Sequence, residues 1–169
     1  MNCPNCGAAM RLALERESFQ CDYCGTVEAP AAGDDGLKAT GGACERACPV
    51  CHEGLEEVMG AAQILWRCGK CRGLLAPMEG FVALVGAMRA GREESGIVGA
   101  RPDERDLERR IRCPGCGGTM MTHYYAGPGN VVIDNCPGCR LNWLDHRELR
   151  RIVEGSGGED GDEAWRMPG

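Results

Sequence analysis

The feature that most constrains this chain is a pattern of paired cysteines. Of thirteen cysteines, twelve fall into six Cys-x-x-Cys pairs, and the pairs fall into three units. The first is Cys3, Cys6, Cys21 and Cys24; the second Cys48, Cys51, Cys68 and Cys71; the third Cys113, Cys116, Cys136 and Cys139. Spacers of fourteen, sixteen and nineteen residues separate the pairs of each unit. Two cysteines three positions apart on a tight turn can direct both sulfurs at one ion about 2.3 Å away, and a second such turn completes a tetrahedron. The spacing therefore predicts three Zn2+ ions, one in each unit. Turn chemistry sits where the geometry needs it. Pro4, Pro49, Pro114 and Pro137 follow the first cysteine of a pair, and Gly7, Gly25 and Gly117 follow the second, where a left-handed backbone brings amides toward sulfur.

Composition explains why metal is needed. Aromatic residues make up only 5% of the chain, while 26 glycines and 9 prolines interrupt its apolar runs. Modules of a few dozen residues rarely bury enough apolar surface to fold without a staple. The expected fold class is small and metal-dominated: three tandem zinc ribbons, each a short β-hairpin closed by a four-cysteine site, with a short α-helix after the second and third. In the first spacer Met10, Leu12 and Leu14 alternate with Arg11, Ala13 and Glu15 before a return through Phe19; in the third, Thr119 to Tyr125 and Val131 to Asn135 flank Gly127-Pro128-Gly129-Asn130. The expected organisation is ribbon 1 at 1–28, a flexible linker at 29–43, ribbon 2 plus helix at 44–90, a linker at 91–102, ribbon 3 plus helix at 103–154, and an acidic disordered tail at 155–169 that carries Trp165.

Units two and three repeat one another beyond their cysteines. Aligning Cys71 with Cys139 pairs Leu75 with Trp143, Phe81 with Leu149, Leu84 with Ile152 and Val85 with Val153. In unit three, Asp145 reads as an N-cap with Glu148 at N3 of a capping box, and Gly155 as the stop. Trp143 and Leu144 are expected to carry that helix on its ribbon. In unit two, Met78, Phe81, Val82, Val85 and Met88 make an apolar stripe wider than one small ribbon can cover. It reads either as ordinary core or as a docking face for another module or chain.

The motifs CPGCGGTM, VVIDNCPGC and NWLDHREL make unit three resemble the bacterial zinc-ribbon family named after transcription factor IIB. The positions that carry the resemblance are Cys113, Cys116, Ile133, Asp134, Cys136, Cys139, Trp143, Leu144, Asp145, Glu148 and Leu149, within residues 111–153. Leu141 and Arg147 stand where that family often has glycine. Unit two looks like a degenerate copy without the Trp-Leu-Asp, and unit one, CPNCGAAM with CDYCGT, is similar to a generic N-terminal ribbon.

Four thiolates close a coordination sphere, whereas a catalytic zinc keeps an open position beside a general base, so no enzyme activity is expected. His52, His123 and His146 have no recognisable nucleophile partner, and His52 reads as a knuckle residue beside four available cysteines. Cys44, Cys48 and Cys51 share the spacing of radical enzymes that use S-adenosylmethionine. Cys48 and Cys51 already have partners at Cys68 and Cys71, which leaves Cys44 a spare thiol and a candidate for redox sensitivity. Iron in place of zinc stays an open alternative for ribbon 1.

Charge bears on partners. Each dication on four thiolates carries a charge of −2, so metallation takes the formal −6 to about −12, a body that repels phosphate backbones. Arg105, Arg109, Arg110, Arg112, Arg140, Arg147, Arg150 and Arg151 gather around unit three. Asp103, Glu104, Asp106, Glu108, Asp145 and Glu148 interleave with them, the pattern of an ion-paired surface. The expected function is a non-catalytic zinc-binding adaptor whose partner is another protein. The alternative is a nucleic-acid-associated or transcription-accessory factor using the Arg-rich third ribbon, and a zinc store or redox sensor is a third class. No small-molecule substrate is expected, and no membrane, because the apolar stretch from Phe81 to Met88 is far short of a span. Cys3 has no charged-then-apolar leader before it, which gives the expectation of a cytoplasmic location with reduced thiols.

Overall fold

The structure, a computed structural model, describes residues 1–90, 104–125 and 131–155. Among these residues two β-sheets form, one of three strands and one of seven. The small sheet is the first ribbon: β1 (Met10–Ala13) and β2 (Ser18–Cys21) pair antiparallel through a 3-10 turn at Leu14–Arg16, and β3 (Val27–Glu28) adds to β2. The alternation read from the sequence appears in the register Met10 to Cys21 and Leu12 to Phe19.

The large sheet joins the other two units. Its strands are β4 (Lys38–Ala47), β5 (Gly54–Gly60), β6 (Gln63–Cys68), β7 (Leu74–Pro77), β8 (Met121–Tyr124), β9 (Val132–Cys136) and β10 (Leu141–Leu144), in the spatial order β4-β5-β6-β7-β10-β9-β8. The seam is the antiparallel pair β7 and β10, with Leu74 opposite Leu144, Leu75 opposite Trp143 and Ala76 opposite Asn142. In the repeat alignment Leu75 is equivalent to Trp143 and Ala76 to Leu144. Equivalent positions therefore sit symmetrically about the Leu75–Trp143 pair, and the two units meet as a pseudo-dimer does, by the same strand from each.

Side chains alternate across a strand, so the seam feeds two cores. Leu74, Ala76 and Leu144 join Val58, Leu65, Val131 and Ile133 on one face, where α1 (Phe81–Ala90) and α3 (Glu148–Glu154) cover them with Phe81, Leu84, Val85, Leu149, Ile152 and Val153. Leu75 and Trp143 join Leu55, Ile111, Met120 and Leu141 on the other face, among the cysteines. Of the stripe, Phe81 and Val85, with Met88 packed beside them, are core shared between two modules, whereas Val82 and Met78 stay exposed; Trp143 faces away from the helix it was expected to carry. Its ring lies over Gly73, where an added Cβ would come within 2.2 Å of Cζ2. Arg89 near the end of α1 donates to the carbonyls of Ile152 and Gly155, where a cation complements the last turn of α3.

Residues 29–43 depart from the expected flexible linker. Gly33–Gly36 form a turn, the Leu37 amide donates to Asp35 Oδ1 at 3.0 Å, and Leu37 is buried in the helix-side core. Lys38–Ala47 then add a seventh strand to the sheet. The composition is small and polar, but Asp35 binds Arg67 at 2.9 Å and one apolar residue, Leu37, anchors the segment. A second short helix, α2 (Glu104–Glu108), precedes the third unit. The expected linker at 91–102, the turn at 126–130 and the tail beyond Gly155 with Trp165 lie outside the described residues.

Candidate metal centres

Each predicted set of four cysteines converges. Cys3, Cys6, Cys21 and Cys24 have sulfurs within 4.8 Å of one another, as do Cys48, Cys51, Cys68 and Cys71, and Cys113, Cys116, Cys136 and Cys139. Tetrahedral Zn–S bonds of about 2.3 Å place sulfurs about 3.8 Å apart. The separations are 3.6 Å for Cys3–Cys24, 3.5 Å for Cys6–Cys21, 3.5 Å for Cys48–Cys71, 3.3 Å for Cys51–Cys68 and 3.7 Å for Cys116–Cys136. These sets fit a zinc ion, and a four-thiolate donor set suits that metal in a structural role.

The knuckles show why the sequence folds this way. In five of the pairs the residue after the second cysteine donates to the carbonyl of the first: Gly7 to Cys3, Gly25 to Cys21, His52 to Cys48, Arg72 to Cys68 and Gly117 to Cys113, at 2.8–3.0 Å. That residue has a positive φ in each, 76° for Gly7 and Gly25, 62° for His52, 61° for Arg72 and 71° for Gly117. Arg140, after Cys139, has φ 54°. Three knuckles use glycine as expected, and three force a bulky side chain into the left-handed region. His52 is therefore exposed knuckle backbone. His123 and His146 are also exposed, and the metal-competent groups among the described residues contain cysteine only. Cys44 sits half-buried on β4 beside the second site's cluster, with the Arg46 amide 3.4 Å from its sulfur.

In each site the surroundings of at least one sulfur favour the thiolate. The Thr26 hydroxyl, 3.1 Å from Cys24 Sγ, and the Thr26 amide bring that thiol down to about 6. The Glu53 amide lowers Cys51 to about 7, and the Gly118 amide lowers Cys116 to about 7. Crowding by Cys116 and Cys113 pushes Cys139 up to about 12. A dication relieves that crowding, so metal entry releases protons and stabilises the fold together.

Sequence reasoning missed the polar clamp behind the third site. Asp134, fully buried, accepts from Arg109 Nη2 at 2.7 Å and from the Thr122 hydroxyl at 2.5 Å. Asp145 accepts from Arg109 Nη1 and, at 3.2 Å, from the Trp143 indole. Its carboxylate is thus committed elsewhere than the helix cap read from the sequence, and α3 starts at Glu148 after Arg147, which has φ 73° where the resembling family often has glycine. Only half of the capping box forms: the Asp145 amide donates to Glu148 Oε2 at 2.6 Å. Burial pushes the Glu148 carboxyl up to about 8. The Ile-Asp and Trp-Leu-Asp motifs signalled the two aspartates. Nothing singled out Arg109 from its neighbours.

No curated protein and no solved structure matches the chain. Residues 112–155 match the family model described as transcription factor zinc-finger, the ribbon type of transcription factor IIB, so the third unit is a zinc ribbon of that kind.

Proposed function

We propose that the protein is a non-catalytic zinc adaptor that offers the outer face of α1 to another protein. The observation that carries this reading is a contrast between two equivalent helices. On α3 the aligned positions carry the exposed Arg150 and the half-buried Arg151 and Glu154; on α1 they are Val82, Ala83 and Gly86, followed by Ala87 and Ala90, all exposed. Val82 is 76% exposed. A helix apolar on every side is a buried helix in most settings, and here only one side is covered by the described residues. Closed four-thiolate sites support a structural role for the metal, with no coordination position left for a substrate.

Ion pairing disfavours the nucleic-acid alternative. Arg109 is held between Asp134 and Asp145, Arg140 pairs with Glu79 at 2.6 Å and Arg150 with Glu154 at 2.7 Å. The Arg109 charge is balanced inside the fold before a phosphate arrives, while the exposed Arg140 and Arg150 pairs offset theirs only weakly.

The test copies the face of α3 onto α1. Full-length protein carrying Val82→Arg, Ala83→Arg and Gly86→Glu is expected to keep its fold and three zinc ions while losing the protein partners that nuclease-treated wild type retains. Unchanged capture by the variant contradicts the reading. Retention of RNA or DNA that falls steeply with salt supports the alternative.

A further inference from the structure

We infer that the first ribbon is held on the large sheet by a polar latch, the ion pair of the Glu17 carboxylate with Lys38 beside the turn at Ala61 and Ala62, and that losing this one contact frees the ribbon while both parts stay folded. Glu17 ends the 3-10 turn of ribbon 1, and its Oε2 lies 3.0 Å from Lys38 Nζ at the start of β4. Both side chains are about three-quarters buried, at 24% and 23% exposed. The backbone amides of Ala61 and Ala62, at the tip of the β5–β6 hairpin, lie near the same carboxylate and favour its charged form, behind Lys38. Burial alone would raise the Glu17 carboxyl, yet Lys38 and the two amides bring it below the ordinary carboxylate range.

Three residues in left-handed backbone meet at this contact. Glu17 has φ 45°, Ala61 φ 48° and Ala62 φ 57°. None is glycine or asparagine, the residues that adopt this region at least cost in two-residue hairpin turns. The two-residue turn itself requires a positive φ at Ala61 and Ala62, so its tip presents a fixed shape beside the Glu17 carboxylate.

Among the described residues little else joins the two parts. Neither apolar cluster contains a side chain from residues 1–28, and no strand of ribbon 1 has an extended contact with the large sheet. Residues 29–31 have no regular structure, and the chain is tied down again from the Ala32–Lys38 bridge onward. A charge-assisted contact at a junction without an apolar core can release without unfolding either side.

The experiment compares full-length, zinc-loaded wild type with Glu17→Gln, Lys38→Met and, as a control, Arg11→Ala, which removes an exposed ion pair to Asp22 within ribbon 1. Backbone 15N relaxation reports whether residues 3–28 tumble with the large sheet, and hydrogen exchange reports the amides of Ala61 and Ala62. Wild type and Arg11→Ala are expected to tumble as one body. Glu17→Gln and Lys38→Met are expected to show a faster-tumbling ribbon 1 with zinc content unchanged, and exchange at Ala61 and Ala62 about tenfold faster in Glu17→Gln. One common tumbling time in all four proteins overturns the inference, as does independent tumbling in wild type or in the control.

Discussion

The first ribbon and the fused pair use the same knuckles and differ in what stands behind them. In ribbon 1 the four sulfurs close a three-stranded sheet whose buried side chains, chiefly Phe19 and Ser18 beside Cys3 and Cys21, join neither large cluster. In the pair, each site backs onto a core that the other unit completes, with Trp143 of unit three between the cysteines of both. Metal is the whole of the first solution and one part of the second. Repetition of a metal site therefore says little about how independent each repeat is; the strand after the last cysteine decides that.

Several changes would break or sharpen this contrast. The largest effect is expected from deleting one ligand on each side of it. Cys21→Ser should cost one zinc ion and unfold ribbon 1 alone, with the large sheet unaffected in hydrogen exchange. Cys136→Ser should loosen units two and three together, because β9 and β10 carry both the site and the seam. A local response to Cys136→Ser, confined to unit three, breaks the comparison.

Trp143→Ala should come next. It empties the centre of the second core and should cost about 3–5 kcal/mol, read by denaturant unfolding, with exchange accelerating at Leu75 and Trp66 across the seam as well as within unit three. A smaller effect attaches to Glu148. Its buried carboxyl has a folded-state value of about 8, above the ordinary 4.3 or so of an unfolded chain. The stability it contributes is present below about pH 4 and lost as pH rises toward 8. Unfolding from pH 5 to 8 should thus show the fused pair losing stability in wild type, and Glu148→Gln should flatten that slope while ribbon 1 does not respond. A slope that Glu148→Gln leaves intact assigns the effect elsewhere. The smallest change is His52→Gly, which relieves a left-handed histidine and should stabilise unit two by about 0.5–1 kcal/mol. A loss of stability there gives the imidazole a role that its exposed knuckle position does not suggest.

The metal sites were legible because the chemistry is local. Two cysteines on one turn and two on the next leave few geometries, and all twelve sulfurs converge in the groups that spacing alone defines. The repeat alignment was legible too, since Phe81, Leu84 and Val85 and their counterparts Leu149, Ile152 and Val153 are buried together. What escaped was tertiary. That equivalent strands would pair with each other depends on two open sheet edges meeting, which no local pattern records. Residues 38–43 read as linker because their composition is small and polar, whereas their place is set by Leu37 and by the free edge of β5. Asp145 read as a helix cap because its local partner, Glu148, was visible and its distant partner, Arg109, was not.

The most direct measurement is native mass spectrometry of the reduced full-length chain, with elemental analysis, before and after stepwise chelation. Three zinc ions per chain are predicted, with the first ion to leave accompanied by loss of ordered amides in residues 3–28 only and the other two lost together with the large sheet. A chain that stays ordered throughout after all metal is gone, or one whose cysteines are found joined as disulfides, contradicts the account.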